Sequence, residues 1–152
     1  MRHRLGLIGG LALWAGPALA SQMNVTPAQL CSVSDAVVVA YVTDIETRWS
    51  ADQPDGGIER VAFLSIQDTV TGAIDDDQVV LPGGAIGDIS QWVEDVPKLM
   101  VNAQYLLFTA ETNGQHRIVG GDQGAVRILP QTSGRGTTLD RALAAVEVCR
   151  VD

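Results

Sequence analysis

Ser34-Asp35-Ala36-Val37-Val38-Val39-Ala40-Tyr41-Val42-Thr43-Asp44-Ile45-Glu46-Thr47-Arg48-Trp49 opens as an unbroken apolar run and closes in strict alternation. Continuous apolar residues mark a strand covered on both faces, and alternation marks one wetted on a single face. The stretch is therefore expected to be a long first strand, with Tyr41, Thr43, Ile45, Thr47 and Trp49 on one face and Asp44, Glu46 and Arg48 on the other. A strand that changes from double to single cover belongs in a curled sheet. The expected class is mainly β: a small closed or partly open antiparallel β-barrel, OB-like, with a short helix before it and another after it.

On the N-terminal side, Thr26-Pro27-Ala28-Gln29 places Thr at a helix cap, Pro at the first helical position and Gln three residues after the cap. That spacing is a capping box, and it predicts a short helix over 27–33. Further back, Met1-Arg2-His3-Arg4 precedes an apolar run and the small-residue site Ala18-Leu19-Ala20, the pattern of a secretory signal peptide over 1–20. Its removal leaves 132 of 152 residues, enough for one domain over 21–152, and brings the formal charge from −8 to −10 by loss of Arg2 and Arg4. The expected location is periplasmic or extracellular. So acidic a chain repels phosphate backbones, which argues against nucleic acid, and with no second long apolar stretch membrane insertion is not expected.

On the C-terminal side, the Asp, Pro and Gly residues of 50–57 turn the chain into a second strand over 58–70, forming a hairpin with the first. Asp75-Asp76-Asp77 reads as a solvated turn rather than a calcium cage, since consecutive carboxylates point apart. A short strand over 78–81 ends at Pro82-Gly83-Gly84. Asn113-Gly114 between apolar runs signals a tight hairpin of strands 105–110 and 116–120, setting Glu111 opposite His116 as a surface pair. The run Gly120-Gly121-Asp122-Gln123-Gly124 is a turn without phosphate-loop spacing, leading to a last strand over 125–129. A helix over 139–149, capped by Thr138, carries Leu139, Leu143, Val146 and Cys149 on one stripe. The only two cysteines, Cys31 and Cys149, are expected to form one disulfide joining the terminal elements.

The longest connection, between Pro82 and Pro97, is the expected contact surface, because long loops in small domains often bind. Ile86, Ile89 and Trp92 supply apolar anchors, and Asp88, Glu94 and Asp95 an acidic rim, unless Trp92 folds back onto the sheet. Catalytic chemistry is poorly supplied. Beyond the leader there is one histidine, His116, expected to be exposed beside its hairpin end, and both thiols are expected to be oxidised. No catalytic residue, metal or cofactor is expected. The reading is a non-enzymatic binding domain with a protein partner, the alternatives being a hydrolase using paired carboxylates or a structural envelope protein.

Ser34-Asp35 before an apolar strand, Leu81-Pro82-Gly83-Gly84, Tyr105-Leu106-Leu107-Phe108 and Gly121-Asp122-Gln123-Gly124 together resemble a set of secreted bacterial proteins of uncharacterised function. The resemblance implies an OB-like barrel similar to tissue inhibitors of metalloproteinases and netrin-type modules, and with it a protease-inhibitor-like role. Ala40 stands where such proteins often have Gly, and Asn102-Ala103 where they have Gly-Glu. Tissue inhibitors grip a protease zinc through an N-terminal Cys, whereas cleavage after Ala20 would leave Ser21 first.

Overall fold

A computed structural model describes residues 24–51, 56–130 and 137–150. The expected signal peptide lies outside them. Helix α1 (Pro27–Val33) starts at the expected capping box, with the Gln29 N–H donating to Thr26 Oγ1 and the Thr26 N–H donating to Gln29 Oε1. Strands β1 (Ala36–Trp49) and β2 (Ile58–Thr71) form the long hairpin, followed by a 3-10 turn (Asp75–Asp77) and β3 (Gln78–Pro82). Next come β4 (Gly84–Ile86), β5 (Ile89–Gln91), β6 (Gln104–Thr112) and β7 (Gln115–Ile118). A 3-10 turn (Gly121–Gly124), β8 (Ala125–Ile128), α2 (Leu139–Ala145) and a final 3-10 turn (Glu147–Arg150) complete the order.

The sheet runs β1-β2-β3-β7-β6-β8, and β1 also pairs with β6, so five strands close into a ring while β8 extends the edge of β6 that it shares with β7. This is the mainly β, OB-like class expected, with one departure: β3 and β7 pair in parallel, through Val80 opposite Arg117. The reason is topological. A ring with an odd number of strands cannot alternate direction all the way round, so one neighbouring pair must run the same way.

Alternation along β1 now divides the core. Ala36, Val38, Ala40 and Val42 point into the ring with Leu64, Val79, Leu81, Tyr105 and Leu107. Val37 and Val39 point outward with Val70, Leu106 and Phe108, under Leu30 of α1 and Ala142 and Val146 of the C-terminal helical segment. That double cover is why the run is unbroken. Three register shifts in the β1–β2 pairing leave Thr43, Gln67 and Val70 as extra residues, and such bulges bend strands toward closure.

The bulge at Thr43 also corrects the expected faces. It inverts the alternation, so Ile45 packs against the ring core that Val42 serves, while Tyr41 stays exposed on the other side. The C-terminal stripe holds at Leu143, Val146 and Cys149, which pack against the outer cluster, but the helix ends at Ala145, Ala142 is buried while Leu139 is exposed, and Thr138 makes no side-chain cap bond. At the other end of the β1–β2 hairpin, Gly72 sits at φ +66°, and a Cβ there would collide with the Asp35 carbonyl oxygen. Gly72→Ala is expected to cost about 2 kcal/mol or more in chemical denaturation, from left-handed strain and the backbone clash together.

Candidate functional site

Within residues 83–96, Gly84 to Gln91 form a small hairpin and the rest is loop. Gly83 and Gly84, at φ +85° and +140°, kink the chain out of β3, and Gly87 at φ +59° turns it between β4 and β5. The base is held to β2: the Gly83 N–H donates to the Ile58 carbonyl at 2.8 Å, and the Ile58 N–H donates to Gln91 Oε1 at 2.6 Å. Such anchoring positions whatever the hairpin presents.

It presents Ile89, 56% exposed, and just past β5 Trp92, 80% exposed. Trp92 therefore does not fold back onto the sheet. It borders a groove of about 390 Å³ lined also by Arg60, Pro82, Val93, Val96 and Lys98. Asp88 lies exposed in the hairpin turn and Ile86, opposite Ile89 in the pairing, is half-buried. Asp95 serves elsewhere: its Oδ1 accepts from the Asp122 N–H at 3.2 Å, and a Cβ on Gly121 would collide with its carboxylate. With Glu94 it borders a different groove, beside Val25 and the Gly121–Gly124 turn. The six sequence-derived residues thus divide between a hairpin surface and a strut.

Two buried polar groups escaped sequence reading. Glu59 on β2 is only 2% exposed; its Oε1 accepts from Arg48 Nε at 2.9 Å and its Oε2 from Arg117 Nη2 at 3.5 Å. The pairing of Arg48 with Glu59 across the hairpin is a register effect, invisible until β1 and β2 are aligned.

The second is His116. Its register opposite Glu111 is as expected, but it is 4% exposed rather than a surface residue. The cause is ring closure: β7 has β6 on one side and β3 on the other, so its short span is covered. His116 Nδ1 lies 3.4 Å from Thr109 Oγ1, whose hydroxyl donates to the Ala36 carbonyl at 3.1 Å. Nε2 is sealed from solvent and has no hydrogen-bond partner. A ring nitrogen of His116 and one carboxylate oxygen each from Asp75 and Glu111 all lie within 4.8 Å of one another.

Both cysteines are joined in the Cys31–Cys149 disulfide, and the hydroxyl beside His116 belongs to a fully buried threonine already committed to a backbone carbonyl. Among the described residues no helix is long and apolar enough to cross a membrane. No protein-family model matches the chain, and no curated protein matches it.

Proposed function

We propose that the protein is an exported, non-enzymatic binding module that holds a protein partner through the β4–β5 hairpin, with Trp92 as its central anchor. The observation that carries this reading is the 80% exposure of Trp92 on a hairpin whose base is hydrogen-bonded to the ring. Large aromatic side chains on preorganised backbone supply much of the energy in protein interfaces, and leaving one in water has no benefit to folding. Asp88, exposed in the hairpin turn, adds negative charge beside the apolar Ile89, so the partner face is expected to be apolar with a basic group at its rim.

Export is supported by the disulfide, which persists in oxidising compartments, and by the leader-like N-terminus. The resemblance to netrin-type modules makes a protease the partner class to try first. A carboxylate-dependent hydrolase would need paired acids free in a cleft; Asp75 and Glu111 border neither groove described above, and of Glu94 and Asp95, which share one, Asp95 is held as a strut by the Asp122 N–H, which supports binding over hydrolysis.

The test is capture from the native envelope with a photo-crosslinker placed at Ile89, followed by affinity measurement on the captured partner. Trp92→Ala is expected to weaken binding about 30-fold or more, as for a buried hot-spot aromatic, with an unchanged melting temperature. Equal affinity for a well-folded Trp92→Ala variant would remove the hairpin from the interface.

A further inference from the structure

We propose that Asp75, Glu111 and His116 form a binding site for a divalent first-row transition ion of the Zn2+ type, which clamps the seam where the sheet ring closes. The three donors come from separate elements. Asp75 opens the turn between β2 and β3, Glu111 is the penultimate residue of β6, and His116 lies on β7. They converge at one end of the ring because alternation along β6 puts Tyr105, Leu107, Thr109 and Glu111 on one face. The first two face the apolar interior and Thr109 is fully buried, so Glu111 stands where that line reaches solvent.

The state of the histidine follows from its neighbours. With the Thr109 hydroxyl donating to the Ala36 carbonyl, Thr109 Oγ1 is left to accept from His116, the contact made by the tautomer that carries its proton on Nδ1. Nε2 then carries a bare lone pair, buried and without a donor. An imidazole oriented through one nitrogen and offering the other as an acceptor is the form in which histidine ligates metals, with Thr109 as the outer partner that fixes the tautomer.

Donor chemistry selects the ion. One imidazole with two carboxylates suits Zn2+ or its first-row neighbours, whereas Ca2+ and Mg2+ prefer all-oxygen shells. Tetrahedral Zn2+ needs donors about 3.4 Å apart at its usual bond lengths, so donors now within 4.8 Å close the set by rotation of two exposed carboxylate side chains. The fourth position is left to water. The bound ion would join the β2–β3 turn to the β6–β7 hairpin, bridging the two sides of the seam where Val80 pairs with Arg117.

The test uses the disulfide-bonded protein, stripped with EDTA and titrated with ZnCl2, with CaCl2 in parallel. One zinc per chain should survive gel filtration, the melting temperature should rise with zinc and ignore calcium, and the 15N resonance of His116 Nε2 should move while Nδ1 keeps its proton. Asp75→Asn combined with Glu111→Gln removes charge from two exposed residues and should lower zinc affinity about 100-fold without changing the metal-free melting temperature. His116→Gln should abolish one-to-one binding. The proposal is overturned if the double variant binds zinc as tightly as the parent, if Nε2 does not respond at saturating zinc, or if Nε2 is protonated at pH 7.5 and stays so when zinc is added.

Discussion

Replacing Cys31 and Cys149 together by serine should lower the unfolding free energy by roughly 4 to 5 kcal/mol. The bond spans 118 residues of sequence, so it removes an unusually large share of the unfolded chain's freedom. In a domain of this size that loss corresponds to about 10 to 20 °C in melting temperature. Cys31 and Cys149 both pack against the outer cluster, tying α1 to the final 3-10 turn over Val37, Val39 and Phe108. Guanidinium unfolding of the double serine variant, beside the parent protein with and without reductant, checks this. A shift below about 1 kcal/mol would mean that the helices hold their places by packing alone.

Glu59→Ala is expected to cost about 3 kcal/mol. Breaking a buried ion pair typically costs about 3 to 5 kcal/mol because the remaining charge keeps its desolvation without its partner. Here the carboxylate is buried, but the Arg48 and Arg117 side chains are 44% and 30% exposed and can turn to water, which places the expectation at the lower end. The effect reaches beyond one strand. Glu59 bridges β1 and β7, on opposite sides of β2 and β3, so its loss loosens the hairpin and the ring seam together. The corresponding Glu59→Gln variant keeps the shape and should recover about half of the loss in the same denaturation measurement. Equal stability of parent and Glu59→Ala would show that the three groups are solvated independently.

Two short-range signals were read correctly, whereas the Thr138 cap and the full extent of the last helix were not. Thr26 and Gln29 place the first helix turn for turn, and Asn113-Gly114 sets Glu111 opposite His116. Both depend on interactions within a few residues, which pattern and spacing encode. The candidate surface was legible in part. Trp92 and Ile89 could be named as anchors from their place in a long connection, but their exposure could not. Asp95 looked the same in sequence as Asp88, yet its role as a strut depends on the Asp122 N–H, 27 positions away in the chain.

Local propensity, periodicity and turn chemistry thus determined the elements apart from β4, β5 and the end of the last helix, together with the two-sided burial of the first strand, the disulfide partners and the mainly β class. Tertiary structure alone decided the parallel seam, the bulge at Thr43, the burial of Glu59 and His116, and the meeting of Asp75 with Glu111 and His116. The physical reason is closure. Joining β1 to β6 and β3 to β7 is a constraint on the whole ring, satisfied by shifts of one residue that each invert which face a side chain occupies, and no window of sequence shorter than the ring contains it.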